Sequence, residues 1–252
     1  MGCDGDQRQG RPVADLLIKR GRYGGGFRMM VFAPATVQEA VDMTYAAFDY
    51  AQRDRNPVLI LADGVLGTIM EPVTLPEMRS QEEVAQLKAQ CRPWALVGHD
   101  PEKETRSFIA PGNWDTKKQQ QKCIDNAALY ESWKADVQVE ELYLDDAEVV
   151  ITAYGVSGRI ARSAVQNLRR EGLKVGLIRP KTVSPFPYES YEKLDFNRVK
   201  AILDVEMSIP AQMVTDLELA AKGRCAIETC LHSGGEIMGR AEIMDAARKL
   251  CR

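Results

Sequence analysis

The sequence has little of the material from which metal sites are made. It contains two histidines in 252 residues, which excludes a site built from several histidines. Its six cysteines include no Cys-x-x-Cys pair, so the spacings of zinc ribbons and iron–sulfur clusters are also missing. We therefore expect no metal site, and ordinary reduced thiols of the kind found in cytoplasmic proteins.

Long apolar runs and a strong charge of one sign are absent as well. No run approaches the roughly 20 residues that a membrane helix needs, and the opening MGCDGDQRQGRP has no apolar signal core. The net charge is −3, so neither nucleic acid nor an anionic membrane is an expected partner. These absences predict a soluble globular protein of the cytoplasm.

The first organised pattern is a strand, a helix and a second strand. MMVFAP predicts a short strand that ends at Pro34, and Thr36 with Glu39 predicts a helix that begins with a capping box. PVLILA predicts a buried second strand, which ends at Asp63 and Gly64. This order normally gives parallel strands joined by a right-handed crossover. The expected inward face of the helix comprises Val37, Ala40, Val41, Thr44, Ala47, Phe48 and Ala51.

A second organised block fills the C-terminal part of the chain. AEVVITAYG, KVGLIRP, VKAILDVE and CAIET predict four short strands that alternate with helices, which is typical of an open α/β domain with a mostly parallel sheet. Ser157 is the expected cap of a helix that begins at Arg159 and ends at Gly172. Pro210 is expected to open a further helix, and AEIMDAARKL predicts the last one.

Two stretches show weaker patterns. The first mixes arginines with a triple glycine and predicts an irregular segment. The second predicts a linker that carries some helix, with NAALYESWKADVQVEELYL as one candidate helix. The resulting organisation is an irregular segment at 1–28, a first α/β unit at 29–75, a linker at 76–145 and a second α/β domain at 146–252.

The turn in AYGVSGRIARSAV resembles the start of three kinds of active site. A dinucleotide fingerprint needs a further glycine between Gly155 and Gly158, and a P-loop needs lysine where Arg159 stands. The nucleophile elbow Gly-x-Ser-x-Gly also fails, because Arg159 replaces its second glycine. The sequence therefore favours a tight strand-to-helix turn with Ser157 as a helix cap. The helix N-terminus could still attract an anion.

Four motifs follow one another in an order that is typical of one family. They are APATVQEAVD, RNPVLILADGVLGTIMEPV, AYGVSGRIARSAV and GLIRPKTVSPFP. Together they resemble the alpha subunit of 2-oxoacid:ferredoxin oxidoreductases, and among these the branched-chain, 2-oxoisovalerate type. The resemblance runs from about Gly24 to the end of the chain.

The resemblance implies a fold and a reaction. The fold is a partial pyrimidine-binding domain of the thiamine diphosphate type, followed by an open α/β domain like the C-terminal domain of transketolase. The reaction is the oxidative decarboxylation of a 2-oxoacid to acyl-CoA, with electrons passed to ferredoxin. Thiamine diphosphate and Mg²⁺ would lie between this chain and a beta subunit, with iron–sulfur clusters in another subunit. No cofactor is expected on this chain alone.

The resemblance also sets what can be expected of individual residues. The family's pyrimidine domain begins upstream of the matched part and carries its catalytic glutamate there, so no catalytic residue is assigned. Arg28, Asp63 and Gly64 match positions near the interface edge of the cofactor domain and are the candidate cofactor-binding residues. For Asp63, the residues alone favour an ordinary turn position over a cofactor contact.

The missing upstream part leaves a second hypothesis open. The chain could be a non-catalytic assembly module of such a complex. An incomplete sheet would leave a strand edge uncovered, so we expect self-association of the isolated chain.

Overall fold

Two β-sheets organise the part of the chain that this computed structural model describes, residues 28–96 and 115–251. One sheet has three strands in the order β2 (Val58–Ile60), β1 (Met30–Phe32) and β6 (Thr182–Ser184). The other has five in the order β3 (Val139–Leu142), β5 (Val175–Pro180), β4 (Val149–Ala153), β7 (Ala201–Glu206) and β8 (Ala226–Leu231). The five-stranded sheet forms the core of the C-terminal unit. The three-stranded sheet joins that unit to the N-terminal one.

Strands from both units form the smaller sheet. Strand β1 (Met30–Phe32) pairs in parallel with β2 (Val58–Ile60), and helix α1 (Val37–Asp54) connects them. The predicted parallel strand–helix–strand unit is confirmed. On its other side β1 pairs antiparallel with β6 (Thr182–Ser184), which comes from the C-terminal half of the chain. Strand β1 therefore has a neighbour on both sides, while β2 lies at an edge of this sheet.

The larger sheet is mostly parallel, as predicted. Its strands β4, β5, β7 and β8 run in parallel, and β3 pairs antiparallel with β5 at one edge. The α/β fold class is thereby confirmed. The bounds are Val139–Leu142 for β3, Val149–Ala153 for β4, Val175–Pro180 for β5, Ala201–Glu206 for β7 and Ala226–Leu231 for β8.

Helices cover both faces of this sheet. Helices α4 (Gly155–Arg170) and α7 (Arg240–Leu250) pack on one face, and α5 (Tyr188–Glu192) and α6 (Val214–Ala221) on the other. The strands present apolar side chains to both layers, which explains why their sequences are near-continuous apolar runs.

The predicted linker contains two helices, α2 (Gln81–Cys91) and α3 (Thr116–Ser132), and then a short 3₁₀ helix. Trp133 is buried in a cluster with Met30, Phe32 and Met43, and its Nε1 donates to Asp54 at 2.8 Å. The end of the predicted linker therefore packs against the first sheet.

The predicted helix over NAALYESWKADVQVEELYL was wrong in its second half. Helix α3 ends at Ser132, and residues 139–142 form the edge strand β3. The alternation in VQVEEL has the period of a strand, and pairing with β5 prevails over helix propensity there.

Three further local predictions were wrong. Phe48 is 66% exposed and Thr44 is exposed too, because the inward ridge of α1 runs through Met43 and Ala47 instead. Helix α4 begins at Gly155, so Ser157 lies buried in its first turn and is not the cap. Helix α6 begins at Val214 rather than Pro210. Helix α6 starts later because the backbone N–H groups of Gln212 and Met213 donate to the carboxylate of Glu206, at 2.8 and 2.7 Å.

No helix within residues 28–96 and 115–251 combines the length and the apolar character that crossing a membrane requires. In the same ranges the cysteines are free thiols: Cys91, Cys123, Cys225, Cys230 and Cys251.

Candidate functional site

The turn after β2 meets the N-terminus of helix α4, and Asp63 makes the connection. Its Oδ1 accepts from the backbone N–H of Leu66 at 2.8 Å, and its Oδ2 accepts from that of Val156 at 3.0 Å. Gly155 has a φ of +57°, and a Cβ there would lie 3.3 Å from Oδ2 of Asp63. The helix terminus that could have attracted an anion is thus already bound by a carboxylate from the N-terminal unit.

We expect Asp63→Ala to destabilise the protein by about 1–2 kcal/mol, the usual loss for a helix cap, because two backbone N–H groups lose their acceptor. Urea unfolding measures the loss. The matched control is Asp125→Ala, an exposed aspartate that accepts a hydrogen bond from Gln121 on the same helix, and it should change stability by less than about 0.5 kcal/mol. A parent-like Asp63→Ala protein would show that the carboxylate does not cap the helix.

The second glycine of the motif makes room for an arginine. A Cβ on Gly158 would lie 2.6 Å from Cδ and 2.9 Å from Cγ of Arg179, and 3.1 Å from the carbonyl oxygen of Ala153. The aliphatic part of the Arg179 side chain therefore crosses helix α4 at Gly158, where the helix has no side chain. Close packing accounts for this glycine without a phosphate ligand.

Gly158→Ala should cost about 1–3 kcal/mol, because the new methyl group displaces an arginine that is held at its other end. Thermal unfolding checks this expectation. Gly64→Ala is the matched control, since nothing lies within 4 Å of a Cβ at Gly64, and it should leave the melting temperature nearly unchanged. Equal melting temperatures for the two variants would contradict the packing role of Gly158.

Arg179 ties the two units together through a buried ion network. The residue is 4% exposed, and its Nη1 and Nη2 donate to the Glu39 carboxylate at 3.0 and 2.6 Å. Its Nε donates to Glu140 on β3 at 2.6 Å. Lys181 adds a contact to Glu39 at 3.1 Å, and Arg162 adds one to Glu140 at 3.1 Å.

The network sets the charge of its members. Burial acts to raise the pKa of Glu39, but the hydrogen bonds from Arg179 and from the backbone N–H of Ala35 prevail and lower that pKa to about 2. The pKa of Arg179 is raised, since its carboxylate partners outweigh its burial. Both groups are therefore charged throughout the physiological range.

A second contact between the units lies beside the Asp63 turn. Glu71 accepts a hydrogen bond from the backbone N–H of Val37 at 3.0 Å and forms an ion pair with Arg159 of α4. The N–H of Val37 and then the guanidinium of Arg159 lower the pKa of Glu71. Arg159, which excluded a nucleophile elbow, thus joins the two units.

An open cleft of about 950 Å³ adjoins these contacts. One wall is the segment around Met70, the second is helix α4, and the third is the start of α7. The lining combines apolar side chains with three arginines: Arg159, Arg240 and Arg248. The cleft lies between the two units, where binding sites often occur.

The structure does not bring the three candidate cofactor residues together. Arg28 precedes β1 and Asp63 follows β2, so they lie at opposite ends of two parallel strands. The guanidinium carbon of Arg28 lies 5.8 Å from the ring centre of Tyr130, and its carbonyl accepts from Asn56 at 2.9 Å. Gly64 lies in an exposed turn. A cofactor role for these residues is still a prediction.

Sequence reasoning missed a pair of buried acids on the central strand β7. Asp204 is fully buried, and neither of its carboxyl oxygens has a hydrogen-bond partner within the described residues. Glu206 lies two residues on, on the same face. Burial, followed by the charge of Glu206, raises the pKa of Asp204 to about 10, so Asp204 is protonated at neutral pH.

Signals for some of these residues exist in the sequence. An arginine inside the apolar strand GLIRP and an acid inside AILDVE are rare enough to mark buried polar groups. What the sequence does not show is their partners, since Glu39 and Arg179 are 140 residues apart.

Comparison with known protein families matches most of the chain. Residues 13–136 match the model for the thiamine diphosphate-binding domain of pyruvate flavodoxin/ferredoxin oxidoreductases, and residues 147–243 match the model for core domain II of pyruvate:ferredoxin oxidoreductase. The first match begins closer to the N-terminus than Gly24 and covers much of the predicted linker.

Individual relatives agree with these matches. The chain is 35% identical over 247 residues to the ketoisovalerate oxidoreductase subunit VorB of Methanothermobacter thermautotrophicus. It is 37% identical over 241 residues to the subunit of the same name from Methanothermobacter marburgensis. Each alignment covers 93% of this chain, but the chain spans only 63% and 62% of the two relatives.

A solved structure shares the fold. It is the 2-oxoglutarate:ferredoxin oxidoreductase from Magnetococcus marinus, which matches with a TM-score of 0.68 at 19% identity over 94% of this chain and 45% of that one. Two consecutive family models and two relatives above 30% identity indicate one family. This chain therefore belongs to the 2-oxoacid:ferredoxin oxidoreductase family.

Proposed function

We propose that this chain is the alpha-type subunit of a thiamine diphosphate-dependent 2-oxoacid:ferredoxin oxidoreductase. Such a complex converts a 2-oxoacid and coenzyme A to acyl-CoA and carbon dioxide, and passes the two electrons to ferredoxin. The observation that carries the proposal is the order of the two family matches, with the thiamine diphosphate-binding model directly before core domain II.

The similarity to ketoisovalerate oxidoreductase subunits favours a branched-chain substrate. We propose 2-oxoisovalerate as the preferred 2-oxoacid.

The described residues do not by themselves fit a diphosphate–Mg²⁺ site. Within residues 28–96 and 115–251 no group of three or more metal-binding side chains converges, and Asp63 occupies the N-terminus of α4. The proposal therefore places thiamine diphosphate and Mg²⁺ at an interface with a beta-type subunit, and the iron–sulfur clusters in another subunit. When bound, the cofactor supplies the carbanion stabilisation that decarboxylation needs.

The role proposed for this chain's own residues is to hold two units in a fixed relation. Asp63 binds the start of α4, and Arg179 binds Glu39 across the interface. These charged side chains are paired with one another, which is a structural role. This pairing also supports a second candidate function, a non-catalytic assembly module of the same complex. The two candidates share every contact described above and differ in whether the assembled complex turns over.

The test is to tag this chain in its source organism and purify the complex that it forms. We expect 2-oxoacid-dependent and coenzyme A-dependent reduction of methyl viologen, highest with 2-oxoisovalerate and lost when thiamine diphosphate is removed. Pyruvate and 2-oxoglutarate serve as competing substrates. An assembled complex without turnover on any of these acids would favour the assembly module.

The isolated chain gives a second test. Calorimetry with thiamine diphosphate and Mg²⁺ should show no binding in the micromolar range, since the diphosphate site is placed at the interface with a partner. Micromolar binding by the chain alone would contradict that placement, whatever the activity of the complex.

A further inference from the structure

The central strand β7 carries two acids on one buried face. Asp204 and Glu206 are two residues apart, so their side chains lie on the same side of the sheet, and they are 0% and 1% exposed. The register partner of Asp204 on β4 is the buried Thr152. Two carboxylates in such a position repel each other without the screening of water, so the pair keeps one proton at neutral pH.

The titratable groups on the neighbouring elements include no base beside Asp204. On the same face of the sheet they are acidic groups: Tyr154 after β4, Tyr188 and Tyr191 on α5, Asp216 on α6 and Glu141 on β3. His232 pairs with Glu242 of α7 on the other face. Burial, and then the charge of Glu206, raise the pKa of Asp204, and no cation within the described residues acts against them.

Glu206 has hydrogen-bond donors around it, and Asp204 does not. The Oε1 of Glu206 accepts from the backbone N–H groups of Gln212 and Met213 at 2.8 and 2.7 Å, and its Oε2 accepts from the hydroxyl of Tyr154 at 3.4 Å. Neither carboxyl oxygen of Asp204 has a partner within the described residues. Because donors stabilise an ionised carboxylate, the negative charge belongs on Glu206 and the proton on Asp204.

Tyr154 connects Glu206 to the junction of the two units. Its ring packs against a buried cluster that contains Val31 and Ala33 of the N-terminal unit and Val183 of the C-terminal unit. In the same place the backbone N–H of Ala33 donates to the carbonyl of residue 181 at 2.8 Å. A movement of Glu206 therefore reaches two places, the start of α6 and the junction of the units.

We propose that Asp204, Glu206 and Tyr154 form a proton-linked latch between the two units. While Asp204 keeps its proton, Glu206 carries the charge that binds Tyr154 and the segment before α6. When Asp204 releases the proton to solvent, two carboxylates lie on one face of β7, roughly 7 Å apart along the strand. Glu206, at the end of the strand, then moves away and both of its contacts are lost. The latch does not depend on the proposed activity.

The latch makes the opening of the junction dependent on pH. In the closed state the proton stays on Asp204 up to about pH 10, whereas an Asp204 that opening exposes to water releases it near pH 4. The closed state binds the extra proton, so its stability falls as the pH rises between these values. Each pH unit in this window raises the population of the opened form by up to about tenfold.

Hydrogen exchange of the purified chain at pH 6, 7 and 8, corrected for the intrinsic exchange rates, tests the latch. We expect the protection of the amides of residues 30–33 and 212–217 to fall about tenfold or more between pH 6 and 8. Asp204→Asn should remove this fall, because asparagine does not ionise. Helix α2 has no buried side chain and opens locally, so its amides should keep their protection.

Tyr154→Phe separates the latch from the burial of Asp204 alone. Without the hydroxyl, residues 30–33 should lose most of their pH dependence, whereas residues 212–217 keep theirs because Glu206 still accepts their N–H groups. Glu228→Gln is the matched control, an exposed acid on β8 whose register partner Leu203 lies on the other face, and it should change neither segment.

Equal pH dependence of protection in the parent and in Asp204→Asn would overturn the proposal. So would a Tyr154→Phe protein in which residues 30–33 retain the pH dependence of the parent.

Discussion

Replacing Arg179 by alanine is expected to cost about 3–5 kcal/mol of stability. The substitution leaves Glu39 and Glu140 charged and largely buried with their main partner gone. An unpaired carboxylate in such a position retains the cost of its burial without the attraction that offset it. The loss is measured by urea unfolding as the change in the free energy of unfolding. The dependence of that free energy on urea concentration should be the same for both proteins.

The matched control is Arg162→Ala, which removes the exposed partner of the same Glu140. Its contact is 3.1 Å and its side chain is half-exposed, so the expected loss is within about 1 kcal/mol. Arg179→Lys keeps the positive charge but loses the guanidinium that donates to both carboxylates. Its loss of stability should lie between those of Arg179→Ala and Arg162→Ala. Similar losses for Arg179→Ala and Arg162→Ala would contradict the central role of Arg179.

The pH dependence gives an independent measure of the same network. The pKa of Glu39 is about 2 in the folded protein and lies near its ordinary value of 4.5 in the unfolded chain. Its stabilising contribution is therefore complete above about pH 4.5 and is lost as the pH falls towards 2. The Arg179→Ala variant should lack most of this acid-dependent loss.

Asp204→Asn should make the protein more stable than the parent at alkaline pH. The folded state holds a proton on Asp204 up to about pH 10, whereas the unfolded chain releases it near 4. Because the folded state binds the extra proton, stability falls as the pH rises between these two values. Asparagine has nearly the same shape and does not ionise, so the part of the cost and of the pH dependence that comes from Asp204 is removed.

Unfolding by urea at several pH values between 5 and 9 provides the measurement. The parent protein should lose stability with rising pH, and Asp204→Asn should show a flatter profile. The control is Asp195→Asn, which changes an exposed aspartate paired with Arg198. It should leave the dependence of stability on pH unchanged between pH 5 and 9. An Asp204→Asn protein that is less stable than the parent at pH 8, with the same slope, would show that Asp204 is ionised in the folded state.

Local pattern was sufficient to predict the architecture. The apolar runs of β1, β4, β5 and β7 were each recognised from sequence, because buried parallel strands need little besides continuous hydrophobicity. Strand β3 was missed because its pattern is short and half-polar at the sheet edge. The start of α4 was missed because its cap is supplied by Asp63, 93 residues earlier in the chain.

The same limit applies to the candidate site. Asp63 was identified by its match to the family, but its contact with Val156 depends on how the two units meet. Glu39 was expected to close a capping box, and its carboxylate instead binds the N–H of Ala35 and the guanidinium of Arg179. Long-range partners of this kind are set by tertiary packing, which one sequence without an alignment does not reveal.

The pairing of β1 with β6 has a consequence for how the chain matures during synthesis. Phe32 and Thr182, which are partners in that ladder, are 150 residues apart. At ordinary ribosomal rates β6 is translated roughly 8 to 30 s after β1, so nascent β1 waits that long for its second neighbour. Until then β1 has only β2 as a neighbour in this sheet. The three-stranded sheet is complete only when a strand of the C-terminal unit has been added.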